Sequence, residues 1–473
     1  MRMSHAQMYA RLLASDADYD GRFFTGVLTT GIYCLPSCKA RKPKPDNVRF
    51  FPTCDAARAT GLRPCLKCHP DDFARGADPV LEAIEALVAE IREDPARFRD
   101  ARAIVRRSGF GSTRAFELFR RHYHATPADL LLCARVARAQ RHLLERTDGI
   151  AEVAFDAGFE SLSSFHENFR RMTGLTPAAY RALPSATTFT LALPSDYSLP
   201  HLQYALSRDK ESVSERLQEN VYVSAVMLSG GAAVLGMRLS PETVQVECAP
   251  GTGVEVHRVV SGVLGLAQDA PSFARMVKRL GFARLVATRE GLRISLTSSV
   301  FEGMLWAILG QQINFEFACR LKRRLYELCG TPVADGLIAS PTPAAVARLQ
   351  VADLLPLQFS RQKAQYLIET ARTIAEGALD LEALRDLSAT RAERTLLAQR
   401  GLGPWSVNYL MMRALGFADC LPLGDTGVTS GLQRLMHLEE RPDADATRRL
   451  MSIFSPHRSL ATAHLWQSLR TPL

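Results

Sequence analysis

No stretch of this chain is long and apolar enough to cross a bilayer. The nearest approach, Val221 to Met237, carries no charge, but it is shorter than a comfortable span and is broken by Gly230 and Gly231. It reads as buried strands joined by a turn. The first residues lack the basic-then-apolar pattern of a secretory leader. The ten cysteines are not spread as in a secreted disulfide scaffold: four fall between positions 34 and 68, and the rest are scattered. These absences argue against a membrane-spanning or disulfide-stapled class. They predict a cytoplasmic protein in a reducing compartment, with a metal site rather than disulfides.

Acidic residues are scarce in two places. Residues 21–75 hold ten Lys/Arg against four Asp/Glu, and residues 96–146 hold twelve Arg against four. The whole chain carries only +9, so the remainder is net negative. Positive charge concentrated in this way suits a polyanion such as double-stranded DNA, although a basic stretch alone can be a solvated face. The length of 473 residues, with 47% hydrophobic content, predicts three or four folded domains.

Cys34-x3-Cys38 and Cys65-x2-Cys68 are two closely spaced thiol pairs separated by 26 residues. Tetrahedral Zn²⁺ is satisfied by such pairs, and Pro36, Pro64 and Pro70 keep the segments in turns. A purely structural zinc module would need no more. The surrounding run Thr30-Gly31-Ile32-Tyr33-Cys34-Leu35-Pro36-Ser37-Cys38-Lys39-Ala40-Arg41, with Arg63-Pro64-Cys65-Leu66-Lys67-Cys68, resembles the N-terminal domain of Ada-like adaptive-response proteins. The resemblance implies that Cys34 is both zinc ligand and acceptor of a methyl group from a methylated DNA phosphate. Cys38, Cys65 and Cys68 would be the retained ligands, and Arg41 a phosphate contact. Four thiolates on one divalent ion form a doubly negative cluster, and methylation removes one of those charges. Weaker repulsion from phosphates would then tighten DNA binding.

Residues 78–183 contain an internal repeat. Gly109-Phe110 and Phe116 recur 49 positions later as Gly158-Phe159 and Phe165, and Arg120-Arg121 and Thr126-Pro127 recur 50 later as Arg170-Arg171 and Thr176-Pro177. Each copy reads as helix, glycine turn, helix and a Thr-Pro helix start. The pattern, most specifically Ile150-Ala151-Glu152-Val153-Ala154-Phe155-Asp156-Ala157-Gly158-Phe159, resembles the AraC-type regulator domain with two helix-turn-helix motifs. Second helices would begin near Ser112 and Ser161. Thr113, Arg114, Ser163 and His166 then become candidates for base or phosphate contact.

Pro184-Ser185 begins a linker-like change of composition, residues 187–265 alternate as a small β-rich unit, and the pattern is helical from Ser272 onward. Arg400-Gly401-Leu402-Gly403-Pro404-Trp405 reads as a tight turn opening a helix, where exposed backbone N–H groups could hold a phosphate. With the run Phe301–Gln312 and Leu421-Pro422-Leu423-Gly424-Asp425-Thr426-Gly427-Val428, it resembles the helix-hairpin-helix DNA glycosylases of the AlkA-like, 3-methyladenine-excising branch. The resemblance implies Asp425 as the essential carboxylate and Trp405, Tyr409 and Trp466 as the aromatic base pocket. It also implies Gly401 and Gly403 as the phosphate-binding hairpin and Gln312 as the wedge into the flipped-base gap. A helix N-cap would equally suit an aspartate in Gly-Asp-Thr-Gly. Relatives that also cut the strand carry lysine where this chain has Trp405, so base removal without lyase chemistry is expected. No Pro-Cys-His-Arg string occurs; Ser455-Pro456-His457-Arg458 has no cysteine, so repair of O6-methylguanine is not expected.

The expected fold class is multidomain, mainly α with α+β parts. It comprises a zinc-binding methyl-acceptor module (1–76), a double helix-turn-helix domain (78–183), a β-rich lead-in (187–268) and an all-α helix-hairpin-helix glycosylase (269–473). One zinc ion, no organic cofactor, damaged and promoter DNA, and RNA polymerase as partner of an activator complete the expectation. A pure transcriptional regulator with a degenerate glycosylase half is the alternative, and a glycosylase merely targeted by its front half is another.

Overall fold

The computed structural model describes residues 3–76 and 78–470 and divides into two compact units, Met1–Ala86 and Leu87–Leu473. It is mainly helical with small sheets, as the sequence predicts. Among the described residues no helix is long and apolar enough to cross a membrane. The glycine-broken apolar run forms two antiparallel strands, Val221–Leu228 and Gly231–Leu239.

The first unit rests on strands β1 (Phe24–Val27), β2 (Ile32–Cys34), β3 (Val48–Phe51) and β4 (Arg63–Pro64), in the order β3-β1-β2-β4. β1 and β2 form a hairpin with Gly31 at φ 65°, a backbone state that favours glycine. β2 and β4 pair in parallel, Tyr33 opposite Pro64. That pairing positions the metal-ligand candidates. Cys34 ends β2 and Cys65 follows β4, and the Cys65 N–H donates to the Tyr33 carbonyl at 3.0 Å. Phe24, Tyr33, Leu35, Phe51 and Leu62 supply most of a small core.

In the second unit the repeat folds as two helix pairs. Ala101–Ser108 with Ser112–Tyr123 forms the first, Ile150–Asp156 with Leu162–Thr173 the second, and the long helix Pro127–Glu145 joins them. Gly158 turns between the second pair at φ 90°, and a Cβ there would lie 2.8 Å from the Ala96 backbone, so only glycine fits. Thr126 and Thr176 cap the helices that follow, each with proline in the first turn.

The larger sheet of this unit runs β5 (Thr188–Ala192), β9 (Thr243–Glu247), β8 (Gly231–Leu239), β7 (Val221–Leu228), β6 (Glu215–Gln218), all antiparallel. The linker-like reading at Pro184-Ser185 does not hold. Leu183 is fully buried, and Gly253 passes so close that a Cβ on it would lie 2.2 Å from the Leu183 carbonyl oxygen. One core continues from Val136, Phe165 and Tyr180 of the regulator-like helices into Phe189, Tyr222 and Val260 of the β-rich region. Composition reports polarity but not burial, and a few apolar residues at Leu183 and Phe189 suffice to weld the two parts.

The first helix pair docks as well. His122 Nδ1 lies 2.8 Å from Thr390 Oγ1, and His124 Nδ1 accepts the Asp419 backbone N–H at 3.1 Å. The Arg92 guanidinium donates to the Asp386 carbonyl. The C-terminal helices enclose a separate large core that includes Met304, Leu367, Leu410, Leu432 and Leu465.

Candidate functional site

In the first unit the Sγ atoms of Cys34, Cys38, Cys65 and Cys68 all lie within 4.8 Å of one another. A tetrahedral zinc with Zn–S bonds of about 2.3 Å fits among sulfurs so disposed. Backbone N–H groups of Leu35 and Lys67 approach Cys68 Sγ and Cys65 Sγ, each at 3.4 Å. The turn between the first pair is pinned by Asp20, which accepts from the Ser37 N–H at 2.9 Å and the Ser37 hydroxyl at 2.6 Å. Lys42, absent from the sequence expectations, donates to the Cys38 carbonyl at 2.7 Å and brings a cation to the cluster. Arg41 is exposed beside it. Cys34 is buried at 7% exposure, whereas Cys68 is the most exposed of the four.

Thr113, Arg114, Ser163 and His166 all stand exposed in the first turns of Ser112–Tyr123 and Leu162–Thr173. Arg114 forms a solvent-exposed ion pair with Glu117 at 3.4 Å, which holds it weakly. The helix starts match the expectation, except that Gly111 caps the first and Ser161 the second.

The C-terminal hairpin lies between the helices Ala389–Leu397 and Pro404–Leu410. Gly401 has φ 90°, and a Cβ there would strike the Tyr366 ring at 2.3 Å. Gly403 caps the second helix, faces open space and leaves its backbone approachable. The turn Gln311-Gln312 is tied to this hairpin. Gln311 Nε2 donates to the Gly401 carbonyl at 2.8 Å and to Ser406 Oγ at 2.9 Å. Lys363 Nζ donates to the carbonyls of Leu309 and Gln311, at 2.6 and 2.8 Å, and burial pushes its pKa down to about 8. Gln312 is left exposed at the tip with φ 56°.

Asp425 caps the helix Thr426–Leu435, so the capping reading of Gly-Asp-Thr-Gly is realised. Its Oδ1 accepts from the Val428 N–H and from Trp466 Nε1, both at 2.9 Å, while Oδ2 accepts from Trp405 Nε1 at 3.0 Å. Each carboxylate oxygen has two acceptor positions, so these donors fill Oδ1 and leave one position open on Oδ2. Gly427 allows this arrangement, because a Cβ on it would lie 2.7 Å from the Trp466 ring.

Trp405 stacks on Tyr409 at 5.3 Å between centroids, and Tyr409 is tilted against Trp466 at 6.1 Å. The tyrosine hydroxyl accepts from Trp306 Nε1 at 2.8 Å. Tyr409, Trp466 and Trp306 line a cavity of about 210 Å³, whose lining does not include Trp405. The predicted aromatic set is therefore brought together, but two of its indoles orient the carboxylate. Trp306 lies inside a motif that sequence reasoning used, yet nothing in the motif marks it as pocket-facing.

Residues 7–71 match the family described as the metal binding domain of Ada, and residues 104–183 match a helix-turn-helix domain family. Residues 305–456 match the HhH-GPD superfamily of base excision DNA repair proteins. The chain is 29% identical to a probable bifunctional transcriptional activator/DNA repair enzyme AlkA of Mycobacterium tuberculosis, over 98% of this chain and 96% of that protein. It is 31% identical to a DNA-3-methyladenine glycosylase of Bacillus subtilis, over 46% of this chain and 72% of that one. Among solved structures, the 3-methyladenine DNA glycosylase of Archaeoglobus fulgidus superposes with a TM-score of 0.55 at 24% identity, covering 60% of this chain and all of the other.

Proposed function

Because this chain belongs, through its C-terminal region, to the HhH-GPD superfamily of base excision DNA repair proteins, we propose that it excises alkylated purines from DNA and couples this to a methyl-triggered transcriptional response. The observation that carries the reading is Asp425, held by two indole N–H groups, one of them from Trp466, which lines the aromatic cavity. A duplex phosphate docks on the backbone at Gly403, and Gln312 enters the gap left when the damaged nucleotide leaves the stack. The open acceptor position of Asp425 Oδ2 faces charge developing on the sugar as the C1′–N bond breaks. The cationic purine departs neutral with the C1′–N electron pair, and water forms the C1′–O bond and gives up one proton to solvent. Trp405 occupies the position where a lyase lysine would stand, so the reaction ends at an abasic site and the enzyme is monofunctional.

Functionally, residues 1–76 form the methyl-accepting module, 78–183 the double helix-turn-helix domain, 187–268 the β-rich lead-in and 269–473 the glycosylase. The first holds one zinc ion on Cys34, Cys38, Cys65 and Cys68; zinc, when bound, keeps thiols deprotonated at neutral pH. Cys34 Sγ takes the methyl of a DNA methylphosphotriester, forming the S–C bond as the phosphate O–C bond breaks. Arg41 and Lys42 supply positive charge toward the phosphate. Thr113, Arg114, Ser163 and His166 meet promoter DNA in the major groove, the bound protein recruits RNA polymerase, and the setting is the cytoplasm.

Two measurements bear on these assignments. After exposure of the full chain to methylated duplex, peptide mass spectrometry finds one added methyl on Cys34, and promoter affinity rises most at low salt. A methyl on the more exposed Cys68, or none, contradicts the assignment. In the glycosylase half, Lys363→Met frees the Gln311-Gln312 turn. Base release from a paired lesion falls about tenfold, the scale of one lost charge-assisted hydrogen bond. Release from an unpaired lesion, which needs less help in leaving the stack, falls less. Equal losses on both substrates contradict a role in extrusion.

A further inference from the structure

The cavity beside Asp425 has an unexpected charge pattern for a pocket that takes cationic bases. Its acids are partnered: Asp209 with Arg323 at 2.7 Å, Glu302 with Lys322 at 3.1 Å, and Glu215 with the Tyr222 hydroxyl at 2.7 Å. Arg293 is partnered too, with Asp196 at 3.1 Å. Arg208 and Arg413 differ. Both line the cavity, and among the described residues neither guanidinium forms an ion pair or a hydrogen bond. Arg208 lies over the Phe315 ring, 3.8 Å from its centroid. The ionisable groups that influence it are Tyr409, Arg413 and Cys319, with no carboxylate among them, and burial disfavours its charge. Arg413 stands on a π-helical turn, Met411–Leu415, directly after the helix that carries Tyr409. Such turns recur at functional sites because they re-aim a side chain.

A guanidinium is a donor only and pairs with carbonyl or phosphate oxygen. We infer that Arg208 and Arg413 form an oxygen-reading subsite of the base cavity, which favours 6-keto purine lesions over 6-amino ones. The inference rests on the proposed glycosylase reading and deepens it. A 6-keto purine such as 7-methylguanine or hypoxanthine presents an acceptor where 3-methyladenine presents an amino donor. Two unpaired cations also oppose a cationic base, so neutral hypoxanthine gains most. A phosphate oxygen of the same nucleotide offers the same acceptor chemistry and is distinguished by the test.

The test compares kcat/KM for hypoxanthine, 7-methylguanine and 3-methyladenine in otherwise identical duplexes, using the full chain. The Arg208→Met, Arg413→Met double variant retains the aliphatic stems. Its keto-to-amino ratio falls at least about tenfold, consistent with losing a good base-edge contact. Arg208→Lys, which keeps the charge but loses the fork, shows part of the same shift. An unchanged ratio overturns the inference. So does an equal fall in affinity for a duplex bearing a baseless analogue, which assigns the arginines to phosphate. Absence of release of any base by the unaltered chain is a different outcome, the failure of the glycosylase reading itself.

Discussion

Asp425→Asn lowers single-turnover release of an alkylated purine by about a hundred- to a thousand-fold, while affinity for duplex DNA changes little. The substitution keeps the shape of the side chain and its capping of Thr426–Leu435 through the remaining carbonyl. It removes the negative charge that opposes a developing sugar cation, a kind of electrostatic contribution typically worth about 3–4 kcal/mol. It also disturbs the donor arrangement. Both indoles donate to Asp425, at 2.9 and 3.0 Å, and an amide nitrogen cannot accept from either. The amide therefore turns its oxygen toward one tryptophan and leaves the other indole facing a donor. DNA affinity is spared because the proposed hairpin contact runs through backbone groups at Gly401 and Gly403, which the substitution leaves unaltered. Release at the rate of the unaltered chain would remove Asp425 from catalysis and leave it as a cap alone.

Cys38→Ser abolishes metal binding and unfolds the first compact unit. The apolar core there is small, built on Phe24, Tyr33, Leu35, Phe51 and Leu62 with Leu12, Phe23 and Val48 also buried, too few residues to order so short a segment unaided. Structural zinc contributes about 10–16 kcal/mol in small domains at neutral pH, which exceeds what this core supplies. Metal analysis should fall from one equivalent to none. Limited proteolysis should then remove the segment before residue 87 and spare Leu87–Leu473, whose cores are independent of the cysteines. A metal-free protein whose N-terminal unit still resists protease would contradict the ligand assignment.

The parts legible in sequence were those whose chemistry sits on neighbouring residues. Two thiol pairs at short spacing, a repeated glycine turn with a Thr-Pro start, and a Gly-x-Gly-Pro hairpin each carry their geometry within a few positions. What stayed hidden depends on long-range packing. The parallel pairing of β2 with β4 brings Cys34 to Cys65 across 31 positions, and no local pattern encodes it. Trp405 and Trp466 were both expected as pocket aromatics, but the fold turns the N–H groups of both onto Asp425, and of the two only Trp466 lines the cavity. Arg208 belongs to the β-rich region and lines the same cavity as Tyr409, about two hundred residues later in the chain, so no spacing could mark it. The regulator-like helices share a buried core with the sheet through Leu183 and Phe189, a junction that composition alone makes look like a linker.

The central claim, that one chain both senses methylated DNA and removes the damaged base, is tested most directly by the free base itself. The full chain is incubated with methylated duplex, and the soluble fraction is separated by chromatography. Free alkylated purines are expected there, with strands that break only after alkali treatment of the abasic sites. DNA bound and a methyl taken up on Cys34, but no base released, would contradict it and make the C-terminal half a DNA-holding part of a pure regulator.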